Sequence, residues 1–148
     1  MRLSRNFLLS EFTKSDTATA KAIDNTPPPE HLANLRVTAL GLEQVRALLD
    51  DRVVHITSGY RSPALNRAVG GVANSAHALG LAADFTVEGM TALQVCQRIR
   101  DSRIAFDQLI YETSRGVAHL SFDPARLRRE VKTQAGGPGT PAVNGIAP

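Results

Sequence analysis

Two stretches of this 148-residue chain place histidine close to carboxylate or hydroxyl side chains: Ser75-Ala76-His77-Ala78-Leu79-Gly80-Leu81-Ala82-Ala83-Asp84-Phe85 and Val117-Ala118-His119-Leu120-Ser121-Phe122. Two neutral imidazoles and one carboxylate form a three-donor set for zinc with the fourth position open, as in catalytic rather than structural sites. Asp84 is flanked by Ala83 and Phe85, where a lone buried carboxylate is costly unless it meets a cation. The same residues also read as a hydrogen-bonded core histidine and a structural aspartate, and spacing alone does not separate the two readings. Arg61 follows the turn Ser58-Gly59-Tyr60. From there its rigid fork of donors can point into a cleft, toward a substrate carboxylate or a developing oxyanion. His31, beside the proline run, and His55, alternating outward on a β-branched segment, are expected to be structural or exposed.

These residues need elements to hold them. Leu32, Leu35, Leu42, Val45 and Leu49 share one helical face, which predicts a helix over about 30–50 after the polar, proline-ended lead-in 13–29. Val53–Thr57 and Ala82–Val87 read as strands, and Leu65–Val69 as a short helix broken by Gly70-Gly71. Thr91-Ala92-Leu93-Gln94 matches a capping box opening a helix to about Ser102. Phe106–Glu112 and Val117–Phe122 predict a hairpin joined by Thr113-Ser114-Arg115-Gly116. Helices first and antiparallel strands later predict a single α+β domain, a small antiparallel central sheet with packed helices, over residues 1–132. Residues 133–148 hold four Gly, three Pro and no charge, and are expected to form a disordered tail.

Composition narrows the function. At 43% hydrophobic and 21% charged residues the chain is an ordinary globular protein, and no apolar run approaches the ~20 residues of a membrane span. Seventeen Lys and Arg against fourteen Asp and Glu give +3, spread along the chain. The densest basic cluster, Arg126, Arg128, Arg129 and Lys132, reads as a solvated helix face. No zinc-finger, homeodomain or aromatic single-strand pattern accompanies it, so a nucleic-acid partner is not expected. The single Cys96 excludes an intramolecular disulfide and lies in an apolar row with Leu93 and Ile99, as a core residue would. The N-terminal apolar run Phe7–Leu9 is too short for a secretory signal, which needs 7–15 apolar residues.

The run Ser58-Gly59-Tyr60-Arg61-Ser62, then Ser75-x-His77-x6-Asp84 and later His119-x-Ser121, resembles the zinc-dependent peptidoglycan peptidases. These are D-alanyl-D-alanine carboxypeptidases and L-alanyl-D-glutamate endopeptidases, many encoded by bacteriophages. Asn6-Phe7-x-Leu9-Ser10-Glu11-Phe12 and Phe106-Asp107-Gln108-Leu109-Ile110 resemble the same branch, so the likeness spans about residues 6–123. It implies Zn2+ on His77, Asp84 and His119. It also implies a catalytic base shortly before the last histidine, where Glu112 is the acid between Asp107 and His119. Arg61 would hold a substrate carboxylate or carbonyl, while Ser75 and Ser121 would orient the histidines or touch substrate. One departure stands out: family members usually carry Trp-Val-His at the last ligand, whereas this chain has Val117-Ala118-His119 and no tryptophan.

The resemblance implies a metallopeptidase cutting peptidoglycan stem peptides, of the D-Ala-D-Ala carboxypeptidase kind. The alternatives are an L-alanyl-D-glutamate endopeptidase endolysin, or a non-catalytic wall-binding or structural phage module on the same fold. A monomer without stable membrane association is expected and, with no secretory signal visible, a protein made in the cytoplasm that acts on the cell wall after release by lysis, as for a phage-encoded enzyme.

Overall fold

The structure, a computed structural model, describes residues 1–137 and 139–148. Two short helices come first, α1 (Leu9–Thr13) and α2 (Asp16–Ala20), followed by the long α3 (Pro29–Leu48). Then come β1 (Val54–Ser58), α4 (Pro63–Ala68), a 3-10 turn over Ala76–Leu79, β2 (Ala82–Val87) and α5 (Ala92–Arg100). The chain finishes with β3 (Gln108–Glu112), β4 (Val117–Ser121), β5 (Glu130–Gln134) and β6 (Val143–Asn144). The strands form one sheet in the order β1-β2-β4-β3-β5-β6, antiparallel except for the parallel pair β3–β5. The architecture is therefore α+β and a single domain, and β3–β4 is the expected hairpin.

Strand alternation divides the sheet into two faces. Ala83, Phe85, Leu109, Ala118 and Leu120 enter the core with Leu35, Leu42 and Val45 of α3 and Val95, Cys96 and Ile99 of α5. Asp84, Ile110, Glu112, His119 and Ser121 occupy the intervening positions and so belong to the other face. The capping box of α5 is present, with Gln94 N donating to Thr91 Oγ1 at 3.1 Å and Thr91 N to Gln94 Oε1 at 2.9 Å. Burial pushes the Cys96 thiol up to about 12, leaving it an inert core group.

The N-terminal segment braces the turn before α4. Glu43 of α3 accepts from Ser4 Oγ at 2.6 Å and from Asn6 N and Nδ2, each at 2.7 Å, which directs Phe7 and Phe12 into the core. Tyr60 N donates to Phe12 O at 2.7 Å. The buried Asn25 ties the same turn from a third side, donating to Thr13 O and Tyr60 O and accepting from Ser62 N. The lead-in expected to be merely polar thus contains α2 and this clamp.

Two expectations change. The boundary after Lys132 falls inside β5, because Thr133 and Gln134 pair with Tyr111 and Glu112. Val143 and Asn144 pair with β5, and Ile146 packs against the core. Strand pairing at a sheet edge uses backbone groups, so an uncharged, Gly- and Pro-rich composition does not forbid it. The basic cluster is no helix face either: it lies on the loop before β5 and on β5 itself. Arg128 pairs with the buried Asp107 at 2.7 Å, and Arg129 lies 4.6 Å over the Phe106 ring while donating to Ser102 O and Ile104 O. Arg128 and Arg129 thereby tie the loop before β5 to the core beneath it.

Gly59 shows how tight the brace is. A Cβ there would lie 2.6 Å from both Cα and O of Phe12, against backbone that cannot swing aside. Gly59→Ala is therefore expected to cost about 1–3 kcal/mol through forced backbone shifts, seen as a clear drop in melting temperature. An unchanged melting temperature would show that the N-terminal segment is not packed as described.

Candidate active site

His77 is held by local geometry. Ser75 begins the 3-10 turn, its Oγ accepting from His77 N at 3.2 Å, and Gly80 ends it in the left-handed region at φ 78°. The imidazole is thereby turned into the protein and is 2% exposed. Asp84 sits mid-β2, directly opposite His119 of β4 in the antiparallel register.

The three donors meet at one oxygen. Asp84 Oδ1 lies 3.2 Å from His77 Nε2 and 2.9 Å from His119 Nδ1, and the imidazole rings are 5.1 Å apart. One ligand atom from each residue lies within 4.8 Å of the other two. The far side of His77 decides what this means. Its Nδ1 lies 2.7 Å from the Gly59 carbonyl, which can only accept, so Nδ1 carries the proton. Burial pushes His77 toward its neutral form against the attraction of Asp84. Nε2 of the neutral ring then presents a lone pair to a carboxylate oxygen, two acceptors face to face. Burial alone would raise the Asp84 carboxyl, but at low pH, where the His77 imidazole is charged, its attraction and the hydrogen bond from His119 more than reverse this and hold the carboxyl well below the usual carboxylate range. A cation set among these atoms satisfies all of them, and the donor set of two imidazoles and one carboxylate fits a transition metal such as zinc.

All seven residues singled out in the sequence line one cleft of about 590 Å³: Arg61, Ser75, His77, Asp84, Glu112, His119 and Ser121. Arg61 is joined to the His77 segment, its backbone N donating to His77 O at 3.1 Å, while Nη1 reaches Asn66 Oδ1 at 3.1 Å. Burial pushes its guanidinium down, and the side-chain acceptors bonded to it, on Asn66 and Ser58, are neutral. Ser121 Oγ accepts from Gln108 N at 3.1 Å, fixing the start of β3 rather than touching His119. His31 lies 3.3 Å from the Tyr60 hydroxyl and His55 is exposed near Glu88, both outside the cleft as expected.

The hairpin turn hides one participant. Arg115 was visible in the sequence only as a turn residue, yet its Nη2 lies 2.6 Å from both Glu112 oxygens and 3.0 Å from Asp84 Oδ2. Asn25 and Asn66 were equally unmarked, since a lone asparagine in a polar loop carries no signal before the fold is known.

A cleft of this composition around a His–Asp–His centre is that of a metal-dependent hydrolase. The chain's sequence agrees: it belongs to the peptidase M15 family, whose profile, described as Peptidase M15, matches residues 5–121. No curated protein matches the chain. With the His–Asp–His group, family membership makes it a metallopeptidase.

The protonation argument has a measurable sign. His77 has a lowered pKa when folded, so as pH falls through ~6.5 the unfolded chain takes up its proton first and stability drops; Asp84, also lowered, adds a further loss below ~3.9. The melting temperature of chelator-treated protein is therefore expected to fall from about pH 7.5 to about 5.5, and His77→Asn to flatten that fall. A parent profile as flat as the variant's would contradict a neutral, buried His77.

Proposed function

We propose that this protein is a zinc peptidase of the bacterial cell wall that hydrolyses peptide bonds in peptidoglycan stem peptides, with a preference for the D-Ala-D-Ala end. The observation that carries the reading is the convergence of His77 Nε2, Asp84 Oδ1 and His119 Nδ1, with the far nitrogen of His77 held by the Gly59 carbonyl. His77, Asp84 and His119 would hold the ion. When bound, zinc supplies Lewis-acid polarisation of the scissile carbonyl and lowers the pKa of water.

The chain's own residues supply the rest. Glu112, whose side chain is 13% exposed, takes a proton from the attacking water and returns it to the leaving amine nitrogen as the C–N bond breaks. Arg61 binds a carboxylate. Its guanidinium is half-buried and bonded to neutral side chains, which suits a free terminal carboxylate of substrate and favours the carboxypeptidase reading over internal cleavage. Ser75 holds the His77 backbone in place, and Ser121 shapes the cleft floor through Gln108.

A synthetic stem pentapeptide with both an L-Ala–D-Glu and a D-Ala–D-Ala bond tests this, with casein as the control. Zinc-loaded protein is expected to release D-alanine and leave casein intact. Glu112→Gln should lower kcat by roughly 10²–10⁴-fold while keeping its zinc. Arg61→Ala should cost about 1.5–3 kcal/mol in kcat/KM, the range for a hydrogen bond to a charged group. Cleavage between alanine and glutamate would replace the carboxypeptidase reading with the endopeptidase one. Casein hydrolysis with the stem peptide untouched would overturn the substrate class.

A further inference from the structure

The turn linking β3 to β4 sends a cation back into the cleft. Arg115 is 42% exposed along its side chain, but its Nη2 contacts three carboxylate oxygens, both of Glu112 at 2.6 Å and Oδ2 of Asp84 at 3.0 Å. The side chain of Asp84 is fully buried. An exposed ion pair is worth little, because water competes for both partners. Contact with a carboxylate that water cannot reach is a different matter, since removing the cation would leave a buried oxygen without its hydrogen bond. The two oxygens of Asp84 are thus divided: Oδ1 faces the two imidazoles, and Oδ2 faces Arg115.

Glu112 gains from the same contact. It ends β3, and a glutamate side chain there has several rotamers to lose before it can act on one point in the cleft. It also shares the cleft with a second carboxylate, Asp84, which repels it. A guanidinium between the two removes the repulsion and fixes the direction of both groups.

We propose that Arg115 is a positioning residue of this site. It holds the Glu112 carboxylate beside the His77–Asp84–His119 group and occupies Oδ2 of Asp84, so that this aspartate turns a single oxygen toward the metal. The proposal rests on the zinc-peptidase reading above and adds a residue that no motif in the sequence marks.

The test compares the full-length parent with Arg115→Ala, Arg115→Lys, Glu112→Gln and the Arg115→Ala/Glu112→Gln double variant. Zinc affinity is read by competition with a chromogenic chelator, and kcat and KM are read at saturating zinc on the stem pentapeptide. Arg115→Ala is expected to bind zinc roughly 10–100-fold more weakly and to lose kcat by a factor of the same order, with KM close to the parent's; the buried Asp84 oxygen left without its hydrogen bond also lowers the melting temperature. Arg115→Lys should recover part of both losses. On the Glu112→Gln background, removing Arg115 should lower kcat no further while still weakening zinc. A raised KM at unchanged kcat would overturn the proposal by making Arg115 a substrate contact, and parental zinc affinity in Arg115→Ala would overturn the Asp84 half. Normal turnover by Glu112→Gln would instead sink the base reading and the Glu112 half with it, leaving the zinc measurement to decide the rest.

Discussion

Asp84 is the constraint on which the molecule is organised. A carboxylate with no exposure, mid-strand between core residues, can stay ionised only if its surroundings replace the water it has lost. The fold brings His77 from the 3-10 turn, His119 from the neighbouring strand and Arg115 from the hairpin turn to do so. Because the Gly59 carbonyl fixes the proton of His77 on the far nitrogen, those groups do not complete the balance themselves. One acceptor is left facing another, and a metal cation is the simplest partner for both. Stability and chemistry meet in that contact.

The scaffold behind the contact is arranged to keep it rigid. Gly59 supplies the carbonyl for His77 and at the same time lies against the Phe12 backbone, so the N-terminal segment and the metal site share a residue. Asn25 and Glu43 hold that segment from two directions, one at the turn and one on α3. On the other side, the β2–β4 register sets Asp84 opposite His119, and the apolar alternation of both strands toward α3 and α5 resists any slip. A shift of one residue would bury the histidine in the core and expose the leucine beside it.

Much of this was legible in the sequence because it rests on local rules. The helix of α3, the capping box at Thr91, the strand Ala82–Val87 and the hairpin follow from periodicity and turn chemistry acting over a few residues. The convergence of His77, Asp84 and His119 does not follow from spacing; it came from a family likeness, and the register of β2 and β4 supplies its physical reason. What escaped is what depends on partners distant in the chain. Arg115 became meaningful only once its turn folded over Asp84, 31 residues earlier. The strands β5 and β6 escaped because edge pairing needs backbone, not a side-chain pattern. Arg128 and Arg129 are exposed, as read, but the sequence does not show that Asp107 and Phe106 lie beneath them.

The account turns on a single metal among three named atoms. Crystals grown with zinc and measured on either side of the zinc absorption edge test it directly. One anomalous peak is expected, bonded to His77 Nε2, Asp84 Oδ1 and His119 Nδ1, with zinc–nitrogen distances of about 2.0–2.1 Å. A cleft without such a peak, the two imidazoles still directed at Asp84, or a peak held by other residues, would contradict it.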